Sequence, residues 1–517
     1  MELTLLPTMS TIATALLVVF VIAIIRSVVS PRGRRKALNL PPGPRGWPVF
    51  GSLGALTGPL PPHRALAALA ARHGPLMHLR LGSRDVVVAS SPDAARLVLK
   101  THDLAFADRP PTAAGAITSY GYRGVVHTPY GAYWRMARRI CAAELFSARR
   151  VDAFERVRAQ EMRALVRGLF ELAAAGDGDG AGGVVVAVRE HLARATMRNI
   201  LRMAVGEKWS GCYGSAEGEA FRGALDEAFA VTGAVCNLGE WVPWLGWLDA
   251  QGYVRRMKRL SKLFDRFYEQ ILDEHEEERR RRRRREAGGE LAPAAERDLV
   301  DVLLQLAEEE GTGPDESSEA SRLTRDGVKA IIQDVIAGGT ESSAVTVEWA
   351  MSELLRRPDA MSAATAELDL VRDLRDLPYL DAVVKETLRL HPVGPLLVPH
   401  HAREGAAAVA GGCYDVPAGA RVLVNAWAVA RDPAAWPDEP DAFRPERFLE
   451  GGDAVDVDVV AAGVATLVQG FAWRLPDGVK PEDVSMEEHF GLSTRRKVPL
   501  LAVVEPRLPV HLYAAAE

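Results

Sequence analysis

KETLRLHP, residues 385–392, is the stretch on which the fold prediction depends. Glu386 and Arg389 are three residues apart, so on a helix they lie on one face and can form an ion pair. Pairs of this kind are common and usually structural. FRPERF, residues 443–448, adds Arg447 in a segment that Pro445 marks as a loop. Neither stretch fixes a fold alone, so their order relative to other motifs has to be considered.

Two further motifs lie on predicted helices. Trp134 and Arg138 share one helix face, an arrangement most often found as a packing aromatic beside a surface base. GGTESS, residues 338–343, interrupts a long apolar helix, where each glycine costs roughly 1 kcal/mol relative to alanine. A backbone exposed at these glycines suits either a flat ligand lying against the helix or a tight crossing with a second helix.

The composition is that of a large globular protein. Of the 517 residues 48% are hydrophobic and 25% are charged, and 63 basic against 68 acidic side chains give a net charge of −5. No overall field therefore draws the chain to nucleic acid or to an anionic surface. The cysteines form no CxxC pair, which indicates neither a disulfide framework nor a zinc site and suits a reduced, cytosol-facing location. They are Cys141, Cys212, Cys236 and Cys413.

The N-terminus predicts a membrane anchor. Leu3 to Ile25 is 23 residues without a charge, enough for a helix to cross a hydrocarbon core of roughly 30 Å. Five basic residues follow within residues 26–36, which places the rest of the chain in the cytoplasm. A cleaved secretory peptide needs basic residues before the apolar run and a small-residue cleavage site, and both are missing. We therefore expect an anchor at residues 1–30, a basic, proline-rich hinge at 31–45, and a single domain at 46–517.

Beyond the hinge the chain is predicted to be mainly helical, with small sheets. A hairpin is expected from His78–Leu81 and Asp85–Ala89, and strands again near Gly411–Trp427. Glycine-rich loops are expected at residues 176–183 and 311–321. The long helical patterns cover Val151–Ala174, Val254–Arg285 and Arg325–Arg356.

Seven consecutive arginines, Arg279–Arg285, raise the alternative of a nucleic-acid-binding arm. Five acidic residues lie directly before them, within residues 273–278. When acidic residues precede basic ones on one helix, side chains four residues apart form favourable ion pairs and the helix has a solvated face. The membrane anchor and these paired acids exclude a nucleic-acid binder.

The motifs occur in a specific order: anchor, PPGP at Pro41–Pro44, WxxxR, the glycine-rich acid–hydroxyl helix, ExxR and PERF. In this order the chain resembles the plant microsomal cytochromes P-450, in particular the A-type clan that oxidises phenylpropanoids, flavonoids and terpenoids. The resemblance runs from about Pro41 to Phe448 and again from Phe471 to Tyr513. It implies a mainly α fold with a small β region, preceded by one transmembrane helix.

The resemblance also implies roles for individual residues. Trp134 and Arg138 would bind a propionate of haem b, a charge-assisted contact suited to a buried guanidinium, and His400 would be a further propionate contact. Glu341 and Ser342 would be the catalytic pair that relays protons to iron-bound dioxygen, with serine in place of the usual threonine.

The ion-pair triad of this family would be Glu386, Arg389 and Arg447, which is structural. Substrate contacts would come from three largely apolar stretches, which predict a lipophilic substrate. The resemblance further implies that electrons come indirectly from NADPH through a cytochrome P-450 reductase, at the endoplasmic reticulum membrane. The three stretches are Ala116–Val126, Val335–Gly339 and Val393–Val398.

The chain departs from the family at the iron ligand. Relatives place FxxGxRxCxG after PERF, and its cysteine thiolate binds the iron. Here only 22 residues separate Phe448 from Phe471, and no cysteine follows Cys413. Near Val457–Ala462 the sequence passes directly into the end of what resembles the following helix. A second shortening precedes Leu377. We therefore expect no metal ligand, with Cys413 as a weak substitute.

Two hypotheses follow. In the first, the family activity holds: one oxygen atom of O2 is inserted into a lipophilic plant secondary metabolite, and the sequence is a truncated gene model or splice form. In the second, the polypeptide is made as written and is an inactive, membrane-bound remnant that acts at most as a binding protein.

Overall fold

The computed structural model describes residues 14–22, 38–176, 183–210, 216–233, 237–287, 297–311, 322–370, 377–449 and 458–514. These residues form two compact units. The smaller unit comprises Met1–Asp108, Val235–Gly252 and Pro399–Val429, and the larger comprises Arg109–Ala234, Tyr253–Val398 and Ala430–Glu517.

Helices dominate the described residues. The longer ones are α1 (Pro62–His73), α2 (Ala132–Ile140), α3 (Glu155–Gly176), α4 (Val188–Val205), α5 (Ala216–Thr232), α6 (Tyr253–Ala287), α7 (Leu299–Gly311), α8 (Arg325–Arg356), α9 (Pro358–Leu370), α10 (Pro378–Leu390) and α11 (Asp458–Gly470). Shorter helical segments are Leu53–Ala55, Pro92–Arg96, Leu97–Thr101, Asp103–Phe106, Ala113–Ile117, Cys141–Leu145, Ala148–Ala153, Glu207–Ser210, Leu238–Trp241, Pro243–Leu248, Val409–Gly412, Ala426–Val429, Pro445–Phe448, Pro481–Asp483 and Val510–Ala514.

The strands are short. They are β1 (Leu76–Leu81), β2 (Arg84–Ala89), β3 (Val184–Ala187), β4 (His400–Ala402), β5 (Ala406–Ala408), β6 (Tyr414–Val416), β7 (Ala420–Val424), β8 (Phe471–Arg474), β9 (Glu488–His489), β10 (Arg495–Arg496) and β11 (Leu501–Pro506). The predicted mainly α fold with a small β region is confirmed.

A four-stranded sheet organises the smaller unit, in the order β1-β2-β7-β4. β1 and β2 form the predicted antiparallel hairpin, with Leu76 opposite Ala89 and Leu81 opposite Arg84. β2 runs parallel to β7, and both are buried because they lie in the centre of the sheet. The Pro41–Pro44 segment is extended, and the Pro42 carbonyl accepts a hydrogen bond from His78 of β1 at 3.0 Å.

The central helix of the larger unit is α8. It begins after Thr324, whose hydroxyl accepts a hydrogen bond from the Gly327 amide and so caps the helix. Its first half contributes to one hydrophobic core with α6 and α7, and its second half to another with α9, α10 and α11. Because α8 is buried on most sides, its apolar residues are not confined to one face, and several of its charged side chains are buried as well. GGTESS lies between its two buried halves.

The helix predicted over Val151–Ala174 is interrupted. One helical segment ends at Ala153 and α3 begins at Glu155, because Phe154 leaves the helical conformation with φ −93° and ψ 6°. The Phe154 side chain is buried in the first hydrophobic core, so tertiary packing overrides the local helical pattern at this residue. The other two predicted helices are confirmed: α6 is Tyr253–Ala287 and α8 is Arg325–Arg356.

The arginine run lies at the end of α6 and has the predicted solvated face. Arg280 pairs with Glu276 at 3.2 Å and Arg281 with Glu277 at 3.1 Å, each four residues apart. Across the helix pair, Glu308 of α7 accepts a hydrogen bond from Arg279 at 3.1 Å. These arginines therefore link α6 to α7 and form the solvated face of α6.

Several predictions fall outside the described residues. These are most of the membrane anchor, Cys212, Cys236 and the glycine-rich loops at 177–182 and 312–321. Residues 14–22 of the predicted anchor are helical. Among the residues that the structure describes, no helix combines the length and apolar character needed to cross a bilayer.

A buried histidine joins α6 to the start of α7. His275 Nδ1 donates to the Ile271 carbonyl and Nε2 to Asp298 Oδ2, both at 2.8 Å. Asp301 lies close to both side chains. Burial alone would lower the pKa of His275, but the hydrogen bond to Asp298 and the charge of Asp298 raise it to about 9. The imidazolium has no lone pair for a metal, so the trio is an ion-pair site.

This pair predicts a pH-dependent stability. Because the folded-state pKa lies above the unfolded value, the stabilisation is complete below pH 6.5 and disappears as the pH rises through about 9. It amounts to about 3 kcal/mol. We expect the wild-type chain to melt at a higher temperature than His275→Gln at pH 6, and the difference to vanish by pH 10. A difference that does not change with pH would contradict the ion pair.

Candidate active site

The buried carboxylate of Glu386 lies at the centre of an ion-pair cluster in the larger unit. Arg389 donates to it through Nε at 2.7 Å and Nη2 at 2.9 Å, a two-pronged pair on α10. Arg447 Nε donates to the same carboxylate at 3.1 Å, and so does the Arg444 amide at 2.8 Å. The predicted pairing of Glu386 and Arg389 is confirmed, and Arg447 joins it.

Trp436 also belongs to this cluster, and no sequence motif pointed to it. Its ring lies 4.9 Å from the Arg389 guanidinium and 5.8 Å from that of Arg447. Arg389 also donates to the carbonyls of Ala430 and Pro440, at 2.6 and 2.7 Å. The two guanidinium groups thus meet a carboxylate, backbone carbonyls and an aromatic face, which compensates their desolvation.

Trp134 and Arg138 lie together on α2, as predicted. The Arg138 guanidinium lies 5.4 Å from the Trp134 ring centroid. The buried face of α2 consists of Met136, Ala137 and Ile140, so Arg138 is exposed. The Arg138 guanidinium is therefore accessible to an anionic group, and its propionate contact stays a prediction.

The two glycines of GGTESS have different surroundings. A Cβ added to Gly339 would lie 2.7 Å from Ile200 Cδ1 of α4, so this glycine permits the tight helix crossing that was one of the two alternatives. A Cβ added to Gly338 would meet nothing within 4 Å, and Gly338 is exposed. Its backbone is available to a ligand, which was the other alternative.

Glu341 and Ser342, which follow the two glycines, have different interaction partners. Ser342 Oγ donates to the Gly338 carbonyl at 2.6 Å, one turn back along α8. Glu341 Oε1 lies 3.6 Å from Arg495 Nη1 of β10. Burial raises the pKa of Glu341, while Ser493 and Arg495 act in the opposite direction. A carboxyl with a raised pKa beside a hydroxyl is suited to holding and passing a proton.

Asp334 joins two of the predicted substrate stretches. It lies on α8 directly before Val335–Gly339, and its Oδ2 accepts from the amides of Val125 and Val126, at 2.7 and 3.1 Å. Gln333 Nε2 donates to the Thr118 carbonyl at 2.8 Å. Residues 116–126, here called the 116–126 loop, are therefore fixed to α8. The sequence signal for Asp334 was a carboxylate within the apolar stretch that precedes GGTESS.

The third substrate stretch meets the C-terminal hairpin. The carbonyl of Val393 accepts a hydrogen bond from the amide of Thr494 at 2.7 Å, between β9 and β10. Ser493 and Arg495 of the same hairpin face Glu341. The hairpin therefore connects the Val393–Val398 stretch with the acid of α8.

The family model of cytochrome P-450 matches residues 41–457. The chain belongs to the cytochrome P-450 family. It is 70% identical to trimethyltridecatetraene synthase of Zea mays, covering 97% of this chain and 95% of the relative. It is 69% identical to dimethylnonatriene synthase of Zea mays, covering 98% of each chain. Flavonoid 3′-monooxygenase of Arabidopsis thaliana is 38% identical over 98% of this chain and 99% of the relative.

Solved structures agree on the fold. A zebrafish cytochrome P-450 with progesterone superposes with a TM-score of 0.66 at 25% identity, covering 87% of this chain and 100% of that one. Another, with abiraterone, gives 0.68 at 24% identity. The helical body with its small sheets is therefore a cytochrome P-450 monooxygenase fold, and the family implies haem.

The described cysteines do not supply an iron ligand. Cys141 is buried in the first hydrophobic core, and chiefly burial raises the pKa of its thiol to about 11. Cys413 is exposed in the turn before β6, in the smaller unit, where Asn39 donates to its carbonyl. Both positions agree with the sequence prediction. The donor set of the described residues thus does not fit a thiolate-ligated haem.

His400 lies at the start of β4, in the smaller unit. Its Nδ1 donates to the carbonyl of Phe106 at 2.8 Å, which fixes the imidazole against the short helix Asp103–Phe106. The propionate roles of His400, Trp134 and Arg138 stay predictions, and so do the catalytic roles of Glu341 and Ser342.

The triad predicts the effect of one substitution. Glu386→Ala leaves Arg389 and Arg447 buried without their carboxylate, which costs about 3–5 kcal/mol. We expect the variant to lose soluble expression of the body, or to melt far below wild type. Asp381→Ala, which removes a partly exposed pair with Lys385 on the same helix, is the control and is expected to change the stability by about 1 kcal/mol or less. Equal melting of both variants would contradict the structural role of the triad.

Proposed function

We propose that the activity carried by this fold is oxygenation of a lipophilic plant metabolite of the terpenoid class, one oxygen atom of O2 entering the substrate. The reductant would be NADPH, acting through a membrane-bound cytochrome P-450 reductase. The observation that carries the proposal is the geometry of α8, where an exposed glycine backbone precedes an acid and a hydroxyl among apolar residues. The two relatives near 70% identity are named for acyclic, methyl-branched polyenes, which favours a substrate of that shape.

We propose further that the polypeptide as written binds such a ligand without oxidising it. No cysteine follows Cys413, and the family match ends at residue 457, close to where the ligand loop of relatives is expected. The alignment with the first relative spans 537 positions, more than the 517 residues of this chain, so the relative has residues without a counterpart here. Both facts support a lost segment between Phe448 and Phe471.

We also propose that residues 1–30 anchor the protein in the endoplasmic reticulum membrane, with a single pass and the body facing the cytosol. The uncharged run of 23 residues and the basic residues after it support this orientation. A membrane location brings the body close to lipophilic ligands and to a membrane-bound reductase.

The missing ligand is tested by spectroscopy. A thiolate-ligated ferrous haem with carbon monoxide has a red-shifted Soret band. We expect the chain, expressed with haem supplied, to lack this band and to show no NADPH-dependent oxygenation. Propionate contacts can orient a porphyrin but cannot set the electronics of its iron.

The matched variant inserts the FxxGxRxCxG segment and helix start of the Zea mays relative between Phe448 and Phe471. We expect it to gain the band, and the same graft with serine in place of the cysteine to lack it. If the unmodified chain shows the band, a displaced cysteine binds the iron, and Cys413→Ser is the variant that identifies it.

The anchor is tested by deletion. Removing residues 1–30 should shift the protein from the microsomal pellet to the soluble or aggregated fraction, because the uncharged run is the proposed membrane-spanning segment. The measurement is fractionation after a carbonate wash. If the truncated protein still pellets with membranes, another part of the chain holds it there and the anchor assignment is wrong.

A further inference from the structure

A strained turn lies in the 116–126 loop. Tyr120, Gly121 and Tyr122 have φ angles of +48°, +68° and +66°, so three consecutive residues are left-handed, two of them tyrosines. Non-glycine residues adopt this conformation at a cost, and it persists only where the surroundings hold it. The contacts of the turn therefore decide whether the loop keeps this shape.

Lys329 holds the first tyrosine. Its Nζ lies 4.7 Å from the centroid of the Tyr120 ring, within the range of a cation–π contact. Lys329 is only 4% exposed, although it carries a charge. Three carboxylates surround its ammonium group: Asp265 at 2.6 Å, Glu269 at 2.7 Å and Asp326 at 3.0 Å.

The lysine thereby links three elements. Asp265 and Glu269 lie on α6, Asp326 and Lys329 on α8, and Tyr120 in the 116–126 loop. The loop backbone is held separately, since Ser261 of α6 donates to the Ile117 carbonyl at 3.0 Å and α8 binds Thr118 and Val125. The contact between the Lys329 ammonium group and the Tyr120 ring can therefore break while those backbone hydrogen bonds persist.

We propose that Lys329 is a positioning residue that latches the 116–126 loop through the face of Tyr120 and so sets how fast a lipophilic ligand enters and leaves. The loop is hydrogen-bonded to α8 directly before Val335–Gly339, so motion of its Tyr120 turn changes the access of a ligand to this stretch. The ligand part of this inference rests on the proposed function, whereas the latch itself does not.

Two kinds of variant separate the latch from a general structural role. Lys329→Met removes the cation that three carboxylates share, although Glu269 keeps its pair with Arg325, and this disturbs the packing of α6 on α8 as well as the loop. Tyr120→Leu keeps Lys329 and all three carboxylates and removes the aromatic face together with the hydroxyl that lies near Asp265, whereas Tyr120→Phe removes the hydroxyl alone. Tyr120→Phe and Lys329→Arg keep the ring and the cation, and they are the conservative controls.

The first measurement is amide hydrogen exchange of the ligand-free, full-length chain. We expect Tyr120→Leu to raise exchange within the 116–126 loop by roughly three- to thirtyfold, the range for a cation over an aromatic face, and to leave α6 unchanged. Tyr120→Phe and Lys329→Arg should resemble wild type. Unchanged exchange in Tyr120→Leu, or an equal rise in the loop, α6 and α8, would overturn the latch.

The second measurement is stopped-flow binding of parinaric acid, a fluorescent acyclic polyene. With the latch removed, association and dissociation should both accelerate while Kd changes little, since the loop controls passage rather than the bound state. If Tyr120→Leu binds the probe with unchanged association and dissociation rates, the gating role is wrong, although the latch itself is not contradicted. Failure of the wild-type chain to bind the probe would overturn the proposed lipophilic ligand, and the exchange measurement would still decide the latch.

Discussion

The fold of the larger unit depends on one buried carboxylate. Glu386 is fully buried, and it neutralises Arg389 on its own helix and Arg447 from a segment far along the chain. A buried charge pair is costly to desolvate, so the geometry must be complete before it is favourable. The Arg444 amide and the Trp436 ring complete it. The segment up to Phe448 is thereby fixed to α10, which in turn packs on α8.

α8 connects this cluster to the GGTESS stretch and to the 116–126 loop. Its two buried halves belong to two hydrophobic cores, and the short stretch between them has an exposed glycine and polar side chains. Gly339 permits close contact with α4, while Asp334 and Lys329 hold the 116–126 loop. The two buried ends of α8 thus support a middle stretch that holds Glu341 and Ser342 and anchors a strained turn.

Local sequence rules accounted for the features that depend on neighbours along the chain. The start of α8 follows from the Thr324 cap and its course from a helical pattern that continues through GGTESS, and the Glu386–Arg389 pair follows from helix spacing. Phe154 interrupts a predicted helix because its ring is needed in a core assembled from distant elements. Trp436 and Lys329 were equally unpredictable, since their partners lie in segments whose proximity only the folded chain establishes.

The ion-pair triad ends at Arg447, and α11 begins at Asp458 with buried residues that continue the second core. The buried charges and this part of the second core are thus formed by described residues on either side of positions 450–457. Loss of an iron-ligand segment between Phe448 and Phe471, as proposed above, would therefore remove the chemistry without stranding the arginines of the triad. Such a chain would escape the removal by cellular proteases that follows exposure of an unpaired, misfolded core.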